Sequence, residues 1–407
     1  MDTAMDMKRT MLQKLWSFSI FAYIVCMTAF TGTESTTILN KVSLYFFLFV
    51  SAANILALGK VKWNFFIVSI FLYLAVLIIG YFYTPSPKEG YEALYDFITV
   101  CVICLFTVNF VDSEERVYLI LDAFIIGGLT LCIYGFSIYG TSVFEKIINS
   151  NNIVRVGNEL GNANAVGMSY AYAVLFSLFM LINRKNRHWK SVIYVLTIGV
   201  CSVFALLTGS KKAFLLLLCG VVIVFFLKKE NRNAFFKKTL LAIFGIGILL
   251  VIVYAIKNFE MFRAISLRFD ELIALLTSGA GNESDNARVS LIEGGLAVFS
   301  SYPLLGAGTA ASYYYFGVYA HNNYVEILMN TGIIGFLIFY SSYAVVLFRL
   351  LKSDSRTSAL NVCGILIIVM HLILGFALVY YFDRYDQIMI AMVSVFASFK
   401  LQAEESV

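Results

Sequence analysis

Residues 191–208 read SVIYVLTIGVCSVFALLT, residues 209–212 read GSKK, and residues 213–227 read AFLLLLCGVVIVFFL. Neither apolar run contains a charged residue, and a basic turn joins them. A hydrocarbon layer of about 30 Å needs roughly 20 apolar residues in a crossing helix. The alternation of polar and apolar residues that a membrane β-strand requires is missing from both runs. This segment therefore reads as a helical hairpin in a membrane. Its turn carries Lys211 and Lys212.

Runs of the same kind recur on both sides. Helices are expected near 16–33, 38–58, 63–83, 94–111, 117–139, 162–183, 191–208, 212–227, 238–256, 324–348, 359–381 and 385–400. The sequence thus predicts an all-α polytopic membrane protein with about 12 spans. The only prolines, Pro85, Pro87 and Pro303, lie outside these spans, as helix geometry demands. No cleavable signal peptide is expected, because the first apolar run lacks a small-residue cleavage site and further spans follow it.

Composition agrees. Of 407 residues, 60% are apolar and only 14% are charged, too few charges for a water-soluble surface. An aromatic content of 16% excludes disorder. Seven cysteines, all within expected spans, read as small buried hydrophobes and not as a disulfide framework. Cys101 and Cys104 have CxxC spacing but no partner pair. No phosphate-binding loop, nucleotide fingerprint or metal-type His/Cys cluster occurs, which argues against an ATP-driven pump.

The distribution of Lys and Arg sets the expected orientation. With Lys8, Arg9 and Lys14 in the cytoplasm, the basic loops around Arg184–Lys190, Lys228–Lys238 and Arg349–Arg356 also fall inside, and so do both termini. The inner side is then basic on balance and the outer side acidic. Residues 294–320 are uncharged too, but counting them as a span would turn the Arg349–Arg356 loop outward. They are assigned to a large external loop, 257–323, with short helices lying on the membrane. It separates N-terminal membrane helices (1–256) from C-terminal ones (324–407).

Basic residues on the outer side run against the bias. Among them are Lys257, Arg263, Arg268 and Arg288 in the large loop, Arg155 in the loop 140–161, and Lys211 and Lys212 at the hairpin turn. Singly, each reads equally well as a solvated charge paired with a neighbour such as Asp270, Glu271, Glu283 or Asp285. As a set they suggest an anion site, since Arg binds phosphate or carboxylate in bidentate fashion and Lys supplies a point charge. His321 is the only histidine expected on the outer face. His188 falls in a basic loop. His371 falls inside a span, where a bond to a neighbouring helix is its expected role.

Three segments together resemble the O-antigen ligase/polymerase superfamily of bacterial membrane proteins. They are Leu207-Thr208-Gly209-Ser210-Lys211-Lys212-Ala213; Arg288 with Glu293 and Tyr302-Pro303-Leu304-Leu305-Gly306-Ala307-Gly308; and Ala320-His321-Asn322-Asn323-Tyr324 with Gly332-Ile333-Ile334-Gly335. Gly161-Asn162-Ala163-Asn164 is a weaker fourth. The matches run from about residue 160 to 340. Lys211 departs from the Arg usual in the family, which keeps the charge but loses bidentate phosphate binding.

The resemblance implies glycosyl transfer from undecaprenyl-diphosphate-linked glycans at the outer face of the cytoplasmic membrane. It requires no cofactor, metal or nucleic acid. It is most like a Wzy-type polymerase of O-antigen, capsule or exopolysaccharide. A ligase that moves a finished glycan to lipid A core or another acceptor is the alternative, and a lipid-linked oligosaccharide flippase is a more distant one. A chain-length-regulating co-polymerase and a flippase are the implied partners. His321 is the expected general base, and Arg288 the cation that stabilises the diphosphate leaving group. Glu293 and Glu326 are alternative bases or partners that orient the histidine. Arg155, Lys211, Arg268, Asn322 and Glu326 are the expected substrate-binding residues.

Overall fold

The computed structural model describes residues 2–30, 34–140, 157, 159–183, 188–226, 283–352 and 359–397. Arg155, Arg268, the expected span 238–256 and the first part of the large loop lie outside the described residues. Among the described residues there are thirteen helices and no strand. The first five are α1 (Asp2–Ala29), α2 (Glu34–Leu58), α3 (Phe65–Tyr81), α4 (Pro87–Phe110) and α5 (Glu114–Tyr139). Next come α6 (Ala163–Asn183), α7 (His188–Leu207) and α8 (Lys211–Phe226). The last five are α9 (Glu283–Ser301), α10 (Ala311–Phe316), α11 (Asn323–Lys352), α12 (Ala359–Leu374) and α13 (Arg384–Phe396).

Seven helices are long and apolar enough to cross a bilayer: α1, α2, α4, α5, α6, α7 and α11. Shorter apolar helices, α3 and α12 among them, fill the spaces between. The chain is an all-helical polytopic membrane protein. Helices suit this solvent because each satisfies its own backbone hydrogen bonds. Large apolar side chains such as Phe49, Leu56, Phe18 and Val195 stay exposed on the bundle surface, where lipid would meet them.

The interior is organised around α13. Every residue from Asp386 to Ser394 is buried, including Asp386, Gln387 and Ser394, whose side chains are hydrogen-bonded. It packs against α4 and α12, with lesser contacts to α1, α3 and α5. Tyr73 joins this core through rings of Phe97, Phe339 and Tyr381, with centroids 5.2–6.0 Å away. Asp122 on α5 accepts from Lys190 Nζ and from the Tyr194 hydroxyl on α7, both at 2.6 Å. His371 on α12 meets Asp386 Oδ1 on α13 at 3.1 Å, the neighbouring-helix bond expected of it.

Two spans differ from the sequence expectation. The run 359–381 does not stay helical, because α12 stops at Leu374 and residues 375–383 fold back. Asn323 causes this. Its side-chain oxygen accepts the backbone N–H groups of Tyr380 (3.0 Å) and Tyr381 (3.1 Å), and its own N–H donates to Gly375 O (2.8 Å). These bonds replace the helical ones that the segment gives up.

The second difference is a break in α11 at Gly332 (φ 64°, ψ −167°). The Pro303–Thr309 loop enters the break. Ile333 N–H donates to Pro303 O at 2.9 Å, and Ala307 N–H to Met329 O at 2.8 Å. A Cβ on Gly332 would lie 2.2 Å from Leu304 O, and one on Gly306 would lie 2.4 Å from the Asn330 carbonyl carbon. Only glycine fits at either position. The same loop docks on the end of α3. Thr309 Oγ1 donates to Leu77 O (2.6 Å), and Thr84 Oγ1 donates to Thr309 O (2.7 Å). Tyr83 and Thr84 bond Leu305 and Thr309, α9 and α10 pack on α11, and the charge of Lys212 reaches His321, so α9, α10, the α3–α4 and α7–α8 turns and residues 317–323 collect at one end of the bundle.

Candidate functional site

At that end, the start of α11 is tied down on every side. Asn322 caps the helix, its side-chain oxygen accepting from Tyr324 N–H and Val325 N–H at 3.0 Å each. Its amide nitrogen donates to Phe376 O at 3.2 Å. Glu326, only 2% exposed, accepts from Ser312 Oγ (2.7 Å), Ala320 N–H (2.6 Å) and Asn330 Nδ2 (2.8 Å). These bonds fix both ends of the segment 312–320. Asn322 and Glu326, the two residues expected here to bind substrate, thus hold the frame, and Glu326 also lines a small cavity nearby.

His321 is the residue this frame presents. It is half-buried, and its backbone is left-handed (φ 55°), a conformation costly for a residue with a Cβ. The Tyr319 ring lies 4.3 Å from the imidazole, centroid to centroid. Burial lowers the His321 pKa, and the charges of Arg288 and then Lys212 lower it further. Burial likewise raises the Tyr319 hydroxyl, with Arg288 opposing. Arg288, from α9, and Lys212, from α8, therefore act on one imidazole from two separate elements.

Each cation is delivered by its helix. Arg288 lies on α9, which packs against α11. Gly295 allows that approach, since a Cβ there would stand 2.4 Å from Val325 Cγ1. Ser210 caps α8, its hydroxyl accepting from Ala213 N–H at 3.3 Å. Lys212 falls in the first turn and is 9% exposed. A helix N-terminus adds partial positive charge, so two cations in its first turn favour an anion nearby.

The residues singled out by sequence are placed unevenly here. His321 and Arg288 come together. Lys211 is half-buried, but Lys212 is the lysine whose charge reaches His321. Adjacent helix positions differ by about 100° in direction, so only one of the two can face the cluster. Glu293 is exposed on α9, about 140° around the helix from Arg288, and does not join the cluster. Tyr319 was not singled out, although its spacing two residues before His321 was visible.

A cavity of about 140 Å3 adjoins the cluster, lined by Glu89, Glu92, Asp96, Tyr313, Tyr319 and Phe382 among others. A neutral imidazole beside two cations can accept a proton from a hydroxyl, and the cations can receive an anionic leaving group.

Residues 196–340 match the family model Wzy_C, described as O-antigen ligase. This match supports the O-antigen ligase/polymerase superfamily. The matched region of this superfamily begins within α7, ends within α11, and takes in Lys211, Lys212, Arg288, Glu293 and His321. Its members are membrane glycosyltransferase-like enzymes. The resemblance read from the three motifs is borne out at this level. No curated protein matches the chain.

Proposed function

We propose that the chain polymerises undecaprenyl-diphosphate-linked repeat units into a surface polysaccharide at the outer face of the cytoplasmic membrane. The observation that supports this most is the convergence of Arg288 and Lys212 on His321. His321 takes the proton of the acceptor hydroxyl as that oxygen attacks the anomeric carbon of the donor sugar. The bond to the lipid diphosphate breaks, and Arg288 with Lys212 stabilises the charge that leaves. The displaced carrier keeps both phosphates, so the step needs no nucleotide.

A ligase reading draws on the description of the matched family, and uses the same residues with a different acceptor. Gene deletion separates the two. Single repeats accumulating on the carrier indicate the polymerase, and long chains on the carrier the ligase. His321→Ala and Arg288→Ala should each abolish polymer laddering at unchanged protein level. Normal ladders in either variant would remove that residue from the chemistry.

A further inference from the structure

A cavity of about 430 Å3 lies beside the one that adjoins His321, and both are lined by Asp96 and Phe382. It opens between α1, α4, α6 and the start of α13, with Thr28, Asn162, Ser169, Asp383 and Arg384 on its walls. Its volume falls in the roughly 300–1,000 Å3 range of small-molecule sites. Asp96 Oδ1 accepts from Arg384 Nη2 at 3.0 Å, which spends the cation on the wall. Asp386 is engaged by His371 behind that wall. Asp383 accepts Tyr385 N–H at 2.8 Å, is also bonded by Asp386 N–H, and is exposed on the cavity wall. A carboxylate offers about four lone-pair sites, so acceptor capacity remains. The buried Tyr385 hydroxyl, on the same wall near Ser169, lacks a hydrogen-bond partner of good geometry.

We infer that these two joined cavities bind the glycan portion of the substrate, and that they select sugars that are uncharged or cationic. The chemistry separates the two halves of a lipid-linked glycan. Carboxylates accept hydrogen bonds from sugar hydroxyls, and the Phe382 ring suits the apolar face of a pyranose. Glu89 and Glu92, in the smaller cavity, repel phosphate. The anionic half is left to Arg288 and Lys212, and Tyr319 lies between the two environments.

This inference rests on the transferase reading, but the two can fail separately. The test uses the full chain in lipid nanodiscs and saturation-transfer NMR. The probes are the methyl glycosides of glucose, galactose and N-acetylglucosamine, with glucuronate as the charged comparison. At least one neutral glycoside should give a signal and glucuronate none. Ala165→Trp, which fills the larger cavity, should lower that signal at least fivefold, and Asp383→Asn at least threefold. His321→Ala should leave it intact. Silence from every neutral glycoside, preference for glucuronate, or wild-type signals in both cavity variants would overturn the inference. Unchanged lipid-linked intermediates in the deletion strain would instead remove the transferase reading while leaving sugar binding in place.

Discussion

Three donors surround Glu326, while His321, five residues earlier, has two cations near its ring. The two side chains show what a sequence reveals at the residue scale. His321 and Arg288 were legible, because an isolated outer histidine and an arginine against the charge bias are conspicuous in any reading. The roles of Asn322, Asn323 and Glu326 were not. Beyond the cap bonds to residues 324 and 325 and the bonds to Asn330 and Tyr340, their partners are residues 312, 320 and 375–381, and nothing local announces those contacts. Lys211 was preferred to Lys212 because alignment of a motif does not give helical phase. The lowered pKa of His321 yields a prediction. A base must be neutral, so the acid limb of polymer formation should fall below the ordinary histidine value of about 6.5. Lys212→Gln removes one source of the lowering, so its limb should move to higher pH, with slower turnover. A limb that stays in place would separate Lys212 from His321.

At the scale of elements, the Pro-Leu-Leu-Gly-Ala-Gly and Gly-Ile-Ile-Gly segments are two halves of one joint. Sequence showed the first within the large loop and the second inside an expected span, but not that one fills a break in the other. The break at Gly332 was hidden because the residues around it stay apolar, so periodicity alone draws an unbroken span. Gly332→Ala should lower the melting temperature of the protein in nanodiscs. The Gly332 backbone (φ 64°, ψ −167°) lies where essentially only glycine is found, costing about 1–3 kcal/mol for a residue with a Cβ, and the contact with Leu304 O adds to it. Gly199→Ala is the control. That position is helical with nothing within 4 Å of the added carbon, so it should be neutral or gain about 0.5–1 kcal/mol. Equal melting of the two variants would deny the joint its structural role.

For the whole molecule, the count of charge-free runs was a good guide to fold class, since lipid forces apolar length on every crossing helix. It was a poor guide to helices such as α13, at 13 residues and about 20 Å. Such a helix sits wholly inside protein, so nothing requires it to match bilayer thickness. Orientation remains a reading of loop charge, and it predicts accessibility. In a cysteine-free background, an impermeant maleimide applied to spheroplasts should label Tyr314→Cys, on exposed α10, and not Lys352→Cys, at the far end of α11. The reverse pattern would invert the topology and put His321 in the cytoplasm.

The opposed charges around Tyr319 have a consequence for traffic. In a polymerisation both reactants have the same two parts, a sugar and an anionic carrier. A chamber with basic residues at one mouth and carboxylates beyond it acts as a polarity filter. On the proposed function, each substrate would enter sugar-first, and a spent carrier would not follow the chain it has just released. Growth would then run in one direction without a moving gate, because retreat is barred by repulsion alone.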